Sequence, residues 1–96
     1  MSREQILAIL REHASELAGL GVQSLALFGS VARGTASAKS DIDLLVGLDR
    51  PVGLFAFVRL QQRLSEILGR PVDLVPRDGL KPSLRSAILK EAIPVA

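Results

Sequence analysis

The sequence predicts a small α/β (α+β) domain, with a mixed sheet of three to four strands covered by about four helices. Three observations predict it. Long stretches carry apolar residues at helical spacing, and between them lie short apolar runs of strand length. Glycine or proline stands at most of the junctions. No internal repeat, linker or low-complexity tract divides the 96 residues. One domain spanning 1–96 is therefore the simplest organisation.

The first helix begins at Ser2, a good N-cap, with Gln5 three residues on as a capping box requires. Its stripe is Ile6, Leu7, Ile9, Leu10, Ala14 and Leu17, and Gly19 and Gly21 end it. The lone His13 lies at the edge of the stripe and reads as a boundary surface residue. Val22 to Phe28 is a first strand whose apolar run Leu25-Ala26-Leu27-Phe28 suits burial on both faces. Gly29-Ser30 stops it, and Ser30 is placed to cap a short helix starting near Val31. Gly34 to Ser40 is a small, polar loop.

Ile42 to Leu48 is a second strand, closed by the turn residues Asp49, Arg50, Pro51 and Gly53. Leu54 to Leu68 is a long helix with Leu54, Phe57, Val58, Leu60, Leu64, Ile67 and Leu68 on its apolar side, and Gly69 ends it. Val72 to Val75 is a short third strand. A last helix runs from about Pro82, at a first-turn position, to about Ile93. Its face is Leu84, Ile88, Leu89 and Ala92. Pro94-Val95-Ala96 reads as a short edge strand.

Composition narrows the function. The chain carries 12 basic and 10 acidic residues, a net charge of +2, with no Lys/Arg run of the kind that tracks a nucleic-acid backbone. It has no Trp or Tyr, and its three Phe, at 28, 55 and 57, lie in apolar contexts. Direct nucleic-acid binding on an aromatic platform is not expected. Without cysteine there are no disulfides or thiolate metal sites. No stretch is long and apolar enough to span a membrane, and the N-terminus reads as a helix start rather than a signal peptide, so a cytoplasmic protein is expected. Hydrophobic residues make up 48% of the chain. That is rich for a small domain, and leaves either a tightly packed core or apolar surface for a partner.

Candidate chemistry concentrates in Gly29-Ser30 and the carboxylates Asp41, Asp43 and Asp73. Residues two apart in a strand share a face, so Asp41 and Asp43 project together while Ile42 and Leu44 point into the core. Two such charges repel unless a cation lies between them or one holds a proton. Mg²⁺, which takes a few carboxylates plus substrate phosphates, fits. The plain alternative is that one Asp caps the strand start and the other is merely exposed at an edge. A glycine at a strand end before a helix start brings backbone N–H groups close to an anion. Ten residues separate Ser30 from Asp41, enough for one helical turn and a return strand. Asp73 lies 30 residues after Asp43, across one helix, and a third strand beside the second would bring it to the pair. The alternative for Asp73 is an Arg salt bridge. Arg33 and Lys39 are near enough in sequence to contact phosphates, or are ion-paired or solvated.

Phe28-Gly29-Ser30, Asp41-Ile42-Asp43 and Val72-Asp73-Leu74 together resemble the signature of the polymerase-beta-type nucleotidyltransferase superfamily. The fuller string from Phe28 to Gly34 and from Ser40 to Val46 resembles its minimal nucleotidyltransferase (MNT) branch, over roughly Val22 to Val75. The resemblance implies the minimal nucleotidyltransferase fold, with Gly29 and Ser30 holding the phosphates of ATP and Asp41 and Asp43 binding two Mg²⁺. It further implies that Asp73 completes the metal site and acts on the attacking hydroxyl. The reaction it implies is attack on the α-phosphate with loss of pyrophosphate.

Larger members add a domain for base and acceptor, and the chain is expected to lack one. The minimal branch is similar to the antitoxin of HEPN/MNT toxin–antitoxin modules, which adenylylates a tyrosine of a HEPN ribonuclease toxin. The resemblance thus implies a HEPN-type toxin protein as partner. The alternatives are a non-catalytic antitoxin acting by direct binding, and a transferase for a small molecule or an RNA end.

Overall fold

The computed structural model describes residues 1–37 and 40–95. The elements follow in the order α1 (Arg3–Glu12), α2 (Ala14–Gly19), β1 (Val22–Phe28), α3 (Gly29–Arg33), β2 (Ile42–Leu48), α4 (Leu54–Leu68), β3 (Val72–Pro76), a 3₁₀ turn (Arg77–Gly79), α5 (Pro82–Glu91) and β4 (Ile93–Pro94). The four strands form one mixed sheet in the order β3-β2-β1-β4. β1 runs antiparallel to β2 and to β4, and β2 and β3 are parallel, joined by α4 as crossover.

The capping box at Ser2 forms as expected: the Gln5 N–H donates to the Ser2 hydroxyl at 3.1 Å, and the Ser2 N–H to Gln5 Oε1 at 2.7 Å. The first helix is not continuous. It breaks at His13, whose N–H donates to the Leu10 carbonyl at 3.2 Å while its ring nitrogen Nδ1 lies 2.9 Å from the Ile9 carbonyl oxygen. The break lets α2 turn so that Leu17 is buried, while Ala14 stays exposed. Among the described residues five α-helices therefore stand where about four were expected.

The core lies on one face of the sheet. Ile6, Leu10, Leu27, Ile42, Leu44 and Leu64 are fully buried, and Leu60, Leu68, Val46 and Val72 join them. α4 supplies Leu60, Leu64 and Leu68, and ends on the left-handed Gly69. Leu54 and Phe55, in its first turn, are instead 74% and 78% exposed, so not every Phe lies in an apolar setting. β1 is covered unequally: Leu25 and Leu27 are buried, Ala26 and Phe28 half-buried.

The last helix departs furthest from expectation. α5 stops at Glu91 and buries no residue, and Leu84 is 53% exposed. Ile88 and Ala92 are only half-buried. Its apolar face exists, but little of the chain lies against it. The edge strand is Ile93–Pro94, paired with Ala26 and Leu27, and Val95 follows with its N–H on the Leu25 carbonyl at 2.9 Å. Of the C-terminal stretch, Ala96 lies outside the described residues.

Candidate active site

The register of the sheet assembles the site at one end. Asp43 is the partner of Phe28 across the antiparallel pair and of Asp73 across the parallel pair. Ile42 and Leu44, its neighbours, are fully buried on the opposite face. Strand alternation therefore puts Asp43 on the open face, half-buried, with Asp41 exposed just before the strand and Asp73 exposed beside it. Asp73 is thus an exposed group and not one enclosed by apolar residues. Among the described residues no Arg or Lys forms an ion pair with it. It interacts with Asp43.

Burial pushes the Asp43 carboxyl up from its ordinary value, and the charges of Asp73 and Asp41 push it further, with Arg33 partly opposing. Crowded carboxylates raise one another in this way. Among the described residues no three such groups are close enough together to hold a metal ion as they stand. The donor set nevertheless fits Mg²⁺, which binds through one or two hard carboxylates and completes its octahedron with water and substrate phosphate. An open, exposed trio suits that mode better than a closed cage.

Gly29 explains why the turn carries no side chain. Its φ is +74°, and a Cβ there would stand 2.1 Å from Oδ2 of Asp43. The left-handed turn starts α3 at Gly29 with Phe28 as its cap, so Ser30 lies inside the first turn and does not cap the helix. The Ser30 carbonyl accepts from the Thr35 N–H at 2.9 Å, and Gly34 closes α3 in a left-handed conformation. Arg3 Nη1 donates to the Ala32 carbonyl at 2.6 Å, which ties α1 to α3.

The structure thus brings Gly29, Ser30, Asp41, Asp43 and Asp73 to one end of the sheet. Arg33 is there too, ion-paired with Glu91 at 3.0 Å. Lys39 lies outside the described residues. Two residues escaped the sequence reading. Arg70 donates to the carbonyls of Ser40 (2.6 Å) and Ser37 (3.4 Å) and so holds the chain just ahead of Asp41. Glu91 accepts the Gly29 N–H at 3.2 Å. Their partners lie 30 and 62 residues away, so no local pattern announces them.

A model of the nucleotidyltransferase domain family matches residues 4–95. The chain is 36% identical over 94 residues to the protein adenylyltransferase MntA of Thermococcus cleftensis, covering 97% of this chain and 95% of that one. A solved structure of a candidate minimal nucleotidyltransferase superposes with a TM-score of 0.84 at 41% identity, covering 98% and 96% of the two chains. A chain of a toxin–antitoxin crystal structure with AMP-PNP superposes with a TM-score of 0.72 at 26% identity, over all of this chain and 73% of that one. The matched length, the mixed sheet and the shared architecture agree: the chain belongs to the nucleotidyltransferase domain family, as a minimal nucleotidyltransferase.

Proposed function

We propose that this nucleotidyltransferase is a Mg²⁺-dependent protein adenylyltransferase that acts as an antitoxin, moving AMP from ATP to a tyrosine of a HEPN-type ribonuclease toxin. One observation carries the reading: Asp43 stands in register with Asp73 and packs against Gly29, so carboxylates and phosphate turn share one open sheet end. The names borne by the Thermococcus relative and by the toxin–antitoxin neighbour support the protein acceptor. Exposed Leu54, Phe55 and Leu84 offer apolar surface to a partner. The whole of 1–96 acts as one domain. No helix among the described residues is long and apolar enough to cross a membrane, in keeping with a cytoplasmic setting.

In this reading Asp41 and Asp43 would hold two Mg²⁺, and Asp73 would complete the site. The ions would neutralise charge on the attacking and leaving oxygens. Gly29, Ser30, Arg33 and Lys39 hold the phosphates. Asp73 takes the proton of the tyrosine hydroxyl as its oxygen bonds to the α-phosphorus. The bond to the β-phosphate oxygen breaks, and pyrophosphate leaves.

The test is transfer of label from α-labelled ATP, with Mg²⁺, to the product of the neighbouring reading frame. Asp41→Asn or Asp43→Asn is expected to lower transfer by about a hundredfold or more, the effect of several kcal/mol of lost charge stabilisation. Neutralisation without label, unchanged by those substitutions, would instead establish a direct-binding antitoxin. Label on an RNA end or a small molecule, and none on protein, would move the acceptor to that class.

A further inference from the structure

Glu91 ends α5, the helix that buries nothing, yet its own side chain is only 28% exposed. Its carboxylate reaches across to α3. Oε1 accepts from the Gly29 N–H at 3.2 Å and from Arg33 Nη1 at 3.2 Å, and Oε2 accepts from the same Nη1 at 3.0 Å. A backbone N–H and a guanidinium converge here on an anion that the chain itself supplies. They are also two of the groups assigned above to the phosphates of ATP. A carboxylate and a phosphate oxygen ask for the same charge-assisted donors, and these donors cannot serve both fully.

We propose that Glu91 is a built-in stand-in for nucleotide phosphate: ATP binds by displacing its carboxylate from Gly29 and Arg33, and the displacement loosens α5 from α3. The inference rests on the reading that Gly29 and Arg33 hold phosphate. α5 is the element able to respond, because it packs chiefly against α3 and has no buried side chain to hold it. The chain after it stays in place, since β4 pairs with β1 and Arg11 donates to the Val95 carbonyl. The movement is thus confined to α5, and nucleotide occupancy is reported on a helix whose Leu84 is open to a partner.

The experiment is calorimetric titration of the full chain and of Glu91→Gln with Mg²⁺–ATP and, separately, with Mg²⁺ and inorganic triphosphate. Amide hydrogen exchange of α5 is followed in parallel. Removing the internal competitor is expected to tighten both ligands about fivefold or more, within the usual range of coupling between sites. In the unsubstituted chain ATP is expected to speed exchange in α5 towards the rate seen in nucleotide-free Glu91→Gln. Equal or weaker binding by the variant overturns the proposal and leaves the phosphate reading standing. So does a gain for ATP without one for triphosphate, because the competition would then lie elsewhere. If neither folded protein binds ATP, the phosphate reading falls and takes the proposal with it. Should Glu91→Gln fail to fold, the exchange measurement on the unsubstituted chain decides alone: α5 amides unchanged or slowed by ATP overturn the proposal.

Discussion

Helices α4 and α5 carry apolar residues at comparable helical spacing, and the fold uses them in opposite ways. α4 crosses between parallel strands and drives Leu60, Leu64 and Leu68 into the sheet. α5 leaves Leu84 largely in solvent and is tied at its end by the Glu91 carboxylate. One helix is held by area removed from water and the other by a few directed bonds. The difference follows the two faces of the sheet. The face under α4 is continuous hydrocarbon, whereas the other buries Leu45 but carries the half-buried Asp43 and the exposed Asp73 at its open end. Truncating a leucine in each helix should have the most unequal effects. Leu64→Ala, at a fully buried position, is expected to cost about 2–5 kcal/mol in urea or thermal unfolding. Leu84→Ala in α5 is expected to stay within about 0.5 kcal/mol of the unsubstituted chain. Equal losses would mean that α5 is a core helix after all.

The next largest effect lies where the open face meets α3. Gly29→Ala puts a side chain into a left-handed residue, at about 1–2 kcal/mol, and pushes its Cβ into Asp43 Oδ2. The total expected loss of stability is about 2–3 kcal/mol. In an Asp43→Ala background the contacts with Oδ2 and Cγ are gone, and the backbone strain and a tight 3.1 Å approach to the Cβ of residue 43 remain, so the same substitution is expected to cost distinctly less. A cost independent of Asp43 would show that the close approach is not what demands glycine here.

Legibility in the sequence follows the same divide. The α4 side could be read because a buried helix and a buried strand both impose period on their neighbours in the chain. Ile42, Leu44, Leu60 and Leu64 each stand where that period puts them. The carboxylates could be read because alternation places Asp41 and Asp43 together, and because one helix of crossover brings Asp73 to the adjacent strand. α5 could not be read correctly, since an apolar stripe says that a face exists but not that anything covers it. Glu91 and Arg70 left no trace because their partners are set by the fold and not by spacing. The break at His13 was hidden for a related reason: the stripe continues across it from Leu10 to Leu17, while the axis does not.

The smallest expected effect separates the two helices by pH. Arg63 holds the Glu16 carboxyl below its ordinary value by a hydrogen bond, linking α2 to α4, and Arg33 does the same for Glu91 on α5. In each case the folded chain releases its proton more readily than the unfolded chain, whose value is near 4.5. Each pair therefore contributes stability above that value and loses it as pH falls towards the folded value. Denaturation midpoints measured from neutral pH downward are expected to fall less steeply in Glu16→Gln and in Glu91→Gln than in the unsubstituted chain. Asp43 is shifted the other way and contributes the opposite slope; it drops out for Glu16→Gln, which touches none of the groups acting on it, whereas Glu91→Gln also frees Arg33, one of those groups. Hydrogen exchange then tells the helices apart. In Glu16→Gln the α4 amides should remain slow, because the buried leucines hold that helix without the ion pair. In Glu91→Gln the α5 amides should quicken, because nothing buried replaces the carboxylate. Protection of α5 that survives the loss of Glu91 would show that packing holds this helix too, and that the two differ in degree and not in kind.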